Sequence, residues 1–193
     1  MDLRLKKYTQ TTNFRYLGIA GSSTTFSSNP TTCTNLDILH PKQRKVCHRS
    51  RNVLDVISEG ASVGIEECQH QFSDRRWNCT TYNTTDVFGN ITKTKGREKA
   101  YIYAISSAGV MYAAARACSK GQMNICGCDH RVRRRNTNGK FVWGGCSVDV
   151  RFSEKFTREF LDSKESSMNE DGSMNIWNNK AGRKVGFFFF YVF

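Results

Sequence analysis

The sequence lacks the long apolar stretches that mark membrane proteins and most secretory leaders. No segment approaches the ~20 apolar residues that cross a bilayer as a helix. Near the amino terminus, only Leu17–Ala20 is apolar, and a signal peptide needs an apolar core of roughly 7–15 residues. We therefore expect no membrane-spanning segment. Residues 1–32, rich in Ser, Thr and Asn, are predicted to form a flexible lead-in with no clear signal peptide.

The sequence also lacks the motifs of common enzymes. It has neither a Gly-x-Ser-x-Gly elbow nor a His-Glu-x-x-His pair, and no glycine loop that would cradle a phosphate. Glu66 and Glu67 lie near His70, but adjacent residues of a helix point apart. The histidines occur in separate contexts: His40, His48, His70 and His130. We expect no catalytic residues, no enzymatic activity and no cofactor.

Eight cysteines are the strongest positive signal. An even number in a basic chain favours the disulfide framework of a secreted protein, although many pairings remain open. Cys126 and Cys128 are too close to bridge each other, and structural zinc sites usually place about two to four residues between paired cysteines. Disulfides are therefore preferred over a zinc site or buried free thiols, and no metal is expected. The cysteines are Cys33, Cys47, Cys68, Cys79, Cys118, Cys126, Cys128 and Cys146.

Three Asn-x-Ser/Thr sequons lie close together in a polar stretch, at Asn78, Asn83 and Asn90. A single sequon is weak because the pattern is short. A cluster of sequons favours a glycosylated surface loop of a secreted protein. A chance Asn/Thr-rich loop is the alternative.

Positive charge is in excess, with 29 Lys and Arg against 17 Asp and Glu, for a net charge of +12. Such a charge favours polyanionic partners. The basic cluster has three interpretations: a nucleic-acid site, a heparan-sulfate site or a solvated loop. Nucleic-acid binding is disfavoured because interleaved aromatics and a known reader fold are absent. A solvated loop that needs no partner is the first interpretation, and heparan sulfate is the polyanion that a secreted basic protein would bind there. The cluster comprises Arg131, Arg133, Arg134 and Arg135.

Apolar residues recur at helical spacing in three segments. The first prediction is a helix over Val46–Phe72, where Gly60 and Gly64 share a face that another backbone can approach. The second is an alanine-rich helix over Arg97–Ser119. Its predicted core-facing residues are Tyr103, Ser107, Val110, Ala114 and Cys118.

A third helix is predicted from a stripe of Phe152, Phe156 and Phe160. Residues 120–148 are expected to form loops, with or without a short hairpin, and residues 163–175 a polar loop. The expected fold class is mainly α: a disulfide-stapled helical bundle with long loops and at most a short β-hairpin.

Several long motifs identify a family when they are taken in order. Glu59–Cys79, with its Trp-Asn-Cys ending, is very similar to a signature of the Wnt signalling ligands. Further motifs extend the resemblance over roughly residues 33–184: Arg97–Val110, Ala115–Gly121, Cys126–Asp129, Trp143–Ser147, Phe156–Asp162 and Asn178–Arg183.

The resemblance implies a helical amino-terminal domain over residues 33–184 and a set of disulfides. It pairs Cys68 with Cys79, Cys118 with Cys126, and Cys128 with Cys146, and we expect Cys33 to pair with Cys47. Asn78 matches a glycosylation position of family members. The glutamate-rich and Trp-Asn-Cys motifs are implied to serve the scaffold and not catalysis.

The departures from the family concern its receptor contacts. In Wnt ligands, the Asn-Asn-Glu-Ala-Gly-Arg motif leads to a hairpin whose serine carries a fatty acyl group that inserts into the Frizzled cysteine-rich domain. A cysteine-dense carboxy-terminal domain supplies a second contact. Neither occurs in this sequence. Residues 185–193 form an apolar tail unlike the family, typical of unspliced or misassembled coding sequence or a truncated isoform, with packing on the domain as the alternative.

The resemblance therefore implies a secreted ligand, in the extracellular space or matrix, for Frizzled receptors and lipoprotein-receptor-related co-receptors. This chain is expected to be a fragment without the acylated serine and the carboxy-terminal domain. Two alternatives remain: a truncated product that is non-signalling or competes for binding, and a small helical lipid-binding domain.

Overall fold

The computed structural model describes residues 30–37, 39–82, 87–133, 144–165 and 168–192, and in this part of the chain the fold is mainly helical. Two 3₁₀ turns, Gly89–Thr92 and Asp162–Lys164, accompany the helices. The α-helices are α1 (Pro30–Asn35), α2 (Pro41–Cys47), α3 (Val53–Gln71), α4 (Arg97–Ser119), α5 (His130–Arg133), α6 (Val150–Leu161) and α7 (Glu170–Val192).

Helix α4 lies at the centre and packs against α3, α6 and α7. It coincides with the predicted alanine-rich helix, because alanine combines high helix propensity with a side chain small enough for close helix packing. Every residue predicted to face the core from this helix is buried: Tyr103, Ser107, Val110, Ala114 and Cys118.

Helices α3 and α4 approach closely where both carry glycine. A Cβ atom on Gly60 would lie 2.5 Å from Val110 Cα, and one on Gly109 would lie 2.3 Å from Gly60 O. Such distances leave no room for any side chain. The predicted close backbone approach at Gly60 and Gly64 is therefore confirmed, and the partner backbone is that of α4.

Helix α6 begins at an aspartate cap, since the Phe152 amide donates to Asp149 Oδ1 at 3.0 Å. Phe156 and Phe160 are buried, and Phe152 is partly buried against the core. Gln43 of α2 donates from Nε2 to Phe160 O at 3.2 Å. The predicted aromatic stripe is thus the face that holds α6 to the rest of the domain.

The predicted helix over Val46–Phe72 is wrong at its beginning. Helix α2 ends at Cys47, and α3 begins only at Val53. Between them, Asn52 Nδ2 donates to Gln122 O at 2.6 Å, and the Val53 amide donates to Ser50 O. A contact between residues distant in sequence thus accompanies the break between α2 and α3. Hydrophobic spacing alone does not predict such a contact.

The predicted polar loop over residues 163–175 is also wrong in its second half, where α7 begins at Glu170. Asn169 caps this helix, since the Gly172 amide donates to its Oδ1 at 2.6 Å. Glu170 and Asp171 follow in the first turn, where negative charge favours the helix dipole. The helix continues through Val192, so the apolar tail starts inside α7.

Between α4 and α6, the described residues contain α5 and one isolated antiparallel bridge between Cys128 and Val148. A longer hairpin is absent from this described part of the region. No helix among the described residues is both long and apolar enough to cross a membrane.

Candidate functional site

Four disulfides connect the helices to their neighbouring loops. Cys118 at the end of α4 is bonded to Cys126, and Cys128 is bonded to Cys146 across the basic loop. The other two bonds are Cys33–Cys47 and Cys68–Cys79. Three of these are the pairs that the family resemblance implies, and the fourth, Cys33–Cys47, is the separately expected pair; the described residues contain no free cysteine.

The Trp-Asn-Cys motif fixes the chain that leaves α3. Trp77 packs edge-on against Phe72 with ring centroids 5.0 Å apart, and Phe72 packs in turn on Tyr101 of α4 at 4.8 Å. Cys79 is fully buried and adopts a φ of 59°, which is uncommon for a residue other than glycine. Trp77 and Cys79 therefore serve the scaffold, since both pack on the core, whereas Asn78 is exposed.

The Asn178–Arg183 motif anchors α7 to the end of α6. Arg183 is only 3% exposed, and its guanidinium contacts both carboxylate oxygens of Asp162, at 3.2 and 2.9 Å. Asn179 Nδ2 donates to Asp162 Oδ1 at 2.8 Å. Gly182 lies against α4, where a Cβ atom would stand 1.9 Å from Ala104 O. The close contact with α4 explains the glycine at position 182, and the contacts with Asp162 explain Asn179 and Arg183.

A second polar cluster surrounds Glu165, just before α7. The Tyr103 hydroxyl donates to Glu165 Oε1 at 3.1 Å, and Asn175 Nδ2 donates to Oε2 at 3.0 Å. Burial raises the pKa of the Glu165 carboxyl, and the two hydrogen bonds oppose that shift. This cluster connects α4, the 3₁₀ turn and α7. Sequence patterns missed it because its members are 62 and 10 residues apart.

Two of the three sequon asparagines lie on the surface. Asn78 and Asn90 are both exposed, so the fold does not bury either side chain. The Thr80 hydroxyl donates to Asn78 Oδ1, and Lys93 Nζ donates to Asn90 Oδ1 at 3.3 Å. Asn83 lies outside the described residues.

The predicted polyanion cluster is only partly described. Arg131 donates to Asp129 Oδ1 from Nε at 2.8 Å, and its Nη2 lies 3.5 Å from Asp149 Oδ1. The hydrogen bonds from Arg131 lower the pKa of the Asp129 carboxyl. Arg133 ends α5, and Arg134 and Arg135 lie outside the described residues. Arg131 therefore orders the start of α6 as well as contributing charge.

Sequence reasoning missed a second basic surface, on the outer face of α6. Arg151, Lys155 and Arg158 are all exposed, and their spacing of four and three residues places them on one side of the helix. The spacing of these three cations is visible in the sequence, but the prediction for this helix rested only on its phenylalanine stripe. Lys155 lies 4.0 Å from Glu159, so part of this charge is balanced locally.

A groove of about 370 Å³ lies between α3 and α4. Its floor is apolar, with Val63, Ile105 and Ala108. Its rim carries ionisable groups from α3, and His70 Nδ1 lies 4.0 Å from Glu67. Such a lining can hold an apolar group. Among the described residues, no three His, Cys, Asp or Glu side chains come together as metal ligands would.

Comparisons with known proteins agree with the motifs. The model of the Wnt family matches residues 35–187. Wnt-5b of Mus musculus is 42% identical over 161 residues, covering 79% of this chain and 45% of the relative. Wnt-3a of Mus musculus is 40% identical over 170 residues, covering 88% and 48%. The chain thus spans somewhat less than half the length of these relatives.

A solved structure is also similar. One chain of the human WLS complex with WNT8A matches with a TM-score of 0.50 and 37% identity, over 69% of this chain and 44% of that one. The helical scaffold, the disulfides and the sequence motifs therefore agree with each other. The protein belongs to the Wnt family.

Proposed function

We propose that this chain is the amino-terminal scaffold of a secreted Wnt-type ligand for Frizzled receptors in cell-cell signalling. The observation that carries the proposal is the family match over residues 35–187, in which the family motifs become disulfides, close helix contacts and buried ion pairs. Relatives more than 40% identical support the same class of ligand. The four disulfides are typical of an extracellular protein.

The receptor-binding elements of the family are not part of this sequence. The acylated-serine hairpin that the resemblance implies for Frizzled binding does not occur in the 193 residues. We therefore infer that this domain presents and stabilises receptor contacts but does not make the acyl contact itself. If the chain is produced alone, the proposal takes a second form: a truncated product that does not signal or that competes with longer ligands.

Two further partners follow from the same proposal. The similarity to a chain of the human WLS complex with WNT8A supports a WLS-type protein as a secretion partner. The exposed cations of α6, together with Arg131 and Arg133, support contact with heparan sulfate. Glycosylation at Asn78, Asn83 and Asn90 would accompany secretion, and sensitivity of the secreted protein to an asparagine-glycosidase tests it.

Binding to a purified Frizzled cysteine-rich domain tests the central claim. The chain, expressed with an added secretion leader and collected from the medium, is titrated in biolayer interferometry beside full-length mouse Wnt-3a. We expect saturable binding by Wnt-3a and none by this chain. Saturable binding by the chain would contradict the inference that the absent segment makes the main contact. Sequencing the transcript separates the two variants, since an open frame reaching the acylated-serine motif identifies the chain as part of a longer ligand.

A small lipid-binding domain is the second candidate, and the apolar groove between α3 and α4 favours it. Its volume of about 370 Å³ suits part of an aliphatic chain. Native mass spectrometry of the secreted protein tests this function. Retained lipid that is lost on Ala108→Phe substitution would support it, and a lipid-free protein would reject it.

A further inference from the structure

Helix α7 has its polar and apolar faces reversed relative to an ordinary surface helix. The face toward the domain carries Asn175, Asn179 and Arg183, which are 7%, 2% and 3% exposed. The face toward solvent carries Met174, Trp177 and Val185, which are 50%, 71% and 51% exposed. A surface helix normally buries its apolar stripe.

The buried polar face is fully explained by the domain itself. Asn175 bonds to Glu165, while Asn179 and Arg183 bond to Asp162. The exposed apolar face has no such explanation. Met174, Trp177, Ala181 and Val185 follow one another at steps of three and four residues, so they form one continuous stripe. We name these four residues the α7 stripe.

The charged side chains beside the middle and end of the stripe have one sign. Lys180 and Lys184 are exposed beside it, and Lys180 Nζ lies 5.9 Å from the centroid of the Trp177 ring. No Asp or Glu occurs between Gly172 and Gly186. The acidic residues of the first turn, Glu170 and Asp171, both pair with Lys95. From Trp177 onward the stripe is therefore flanked by lysines, and the two carboxylates one turn before Met174 are paired with Lys95.

We propose that the α7 stripe and its two lysines bind the surface of an anionic lipid bilayer, with α7 lying in the interface. Tryptophan and lysine beside an apolar helical stripe are the combination that such interfacial helices use, with the ring at headgroup level and the ammonium in water. The net charge of +12 adds a longer-range attraction to anionic lipid. The helix lies on the bilayer and does not cross it, because no described helix is long and apolar enough to span.

The sequence beyond the stripe points the same way. The chain continues after Gly186 with Phe-Phe-Phe-Phe-Tyr-Val-Phe, so the apolar character increases along α7. This proposal goes beyond receptor binding, which needs no lipid from this helix. Its failure would leave the Frizzled assay, which contains no bilayer, unaffected.

Vesicle co-sedimentation of the full chain tests the proposal. Vesicles of phosphatidylcholine alone are compared with vesicles that also contain phosphatidylserine. We expect binding to the anionic vesicles, reduced about tenfold or more in Met174→Gln/Trp177→Gln. The matched control is Tyr82→Gln/Met168→Gln, which removes two large hydrophobic side chains elsewhere that are 71% and 98% exposed. Circular dichroism verifies that each variant retains its helices.

The contribution of the lysines is tested separately. Lys180→Gln/Lys184→Gln is expected to weaken anionic binding about fivefold per lysine. The control, Lys45→Gln/Lys120→Gln, removes the same charge from two other exposed positions and is expected to show a smaller loss. Equal losses for the two pairs would mean that only net charge acts, which would overturn the proposed site.

Three other outcomes would overturn the proposal. Absence of binding to anionic vesicles rejects it directly. Loss of binding in Phe187→Ser/Phe188→Ser/Phe189→Ser/Phe190→Ser, with the Met174→Gln/Trp177→Gln variant unaffected, would place the contact in the following segment. A concentration-dependent dimer in analytical ultracentrifugation that Trp177→Gln abolishes would show that a second copy covers the stripe.

Discussion

At the scale of single residues, buried charge connects parts of the chain that are distant in sequence. Arg183 pairs with Asp162, which also receives a hydrogen bond from Asn179. Arg183 Nε lies 3.6 Å from Glu154 of α6. Removing one partner of a buried pair is costly because the other charge stays buried without compensation. The Arg183–Asp162 pair is therefore expected to contribute to the stability of the fold.

Arg183→Ala is expected to lower the free energy of unfolding by about 3–5 kcal/mol, since Asp162 would lose its bidentate partner. Urea denaturation with the disulfides intact measures the loss. Arg158→Ala, at an exposed position of α6, is the control and should change stability by less than about 0.5 kcal/mol. Equal effects of the two substitutions would contradict the role of the Arg183–Asp162 pair.

Glu165 gives the domain a predicted dependence on pH. Because burial raises its pKa in the folded state, the folded protein binds this proton more tightly than the unfolded chain does. Stability therefore falls as pH rises from the ordinary glutamate pKa through the raised value, and it is constant above that value. Glu165→Gln should remove this fall.

Urea denaturation between about pH 4 and pH 8 tests this expectation. The quantity to compare is the difference in the free energy of unfolding between wild type and Glu165→Gln at each pH. Glutamine can still face both the Tyr103 hydroxyl and Asn175, so the packing is kept. A difference that does not change with pH would show that Glu165 does not titrate as described. Glu165→Ala should instead destabilise the protein at every pH, by about 1–3 kcal/mol, because two donors lose their acceptor.

At the scale of helices, glycine sets how closely α4 meets its neighbours. Gly60 and Gly109 allow α3 to touch α4, and Gly182 allows α7 to do so. The three positions differ from Gly186, where an added Cβ would be 3.6 Å from its nearest neighbour, Ala108 O. In α7, the contact with α4 thus requires glycine at position 182 but leaves room for a larger residue at position 186.

Gly182→Ala and Gly186→Ala make a matched pair on α7. The first places a methyl group 1.9 Å from Ala104 O, so α7 must move away from α4, and we expect a loss of several kcal/mol or failure to fold. The second meets only ordinary contacts and replaces glycine within a helix, so it should be neutral or stabilise by up to about 1 kcal/mol. Thermal unfolding followed by circular dichroism compares them; a similar melting temperature for both variants would contradict the close approach.

At the scale of the whole molecule, the disulfides hold loops that the helices alone do not fix. Cys128–Cys146 closes a separation of 18 residues, and Cys118–Cys126 one of 8. Each such link contributes on the order of 3 kcal/mol by restricting the unfolded chain. Domains of this size are stable by only about 5–15 kcal/mol in total, so four links amount to much of the stability.

Complete reduction should therefore unfold the domain at 37 °C. Circular dichroism and urea titration, with and without a phosphine reductant, measure the effect. Cys128→Ala/Cys146→Ala should lower the free energy of unfolding by about 3 kcal/mol in the oxidised protein. In the fully reduced protein, the same double substitution should have little further effect. An unchanged urea midpoint after full reduction would show that the helical core is sufficient without the links.

Much of this protein can be predicted from its sequence. The prediction of helix α4 agrees with its observed bounds, because the helix propensity of alanine is a local property. The phenylalanine stripe of α6 and the glycine approach at Gly60 are likewise read from spacing. The family motifs identified the scaffold, since several long motifs occur in the order that the family has.

The tertiary structure decided what spacing cannot encode. It separated α2 from α3, where Asn52 bonds to Gln122 O, and it started α7 at the Asn169 cap. It also revealed that Asn179 and Arg183 of the Asn178–Arg183 motif face inward while Trp177 faces solvent. The sequence by itself determined α4, most of α3, the core stripe of α6 and the family, because these depend on local pattern. Only the packed helices decided which face of α7 is buried, because that depends on partners supplied by α4 and by Asp162.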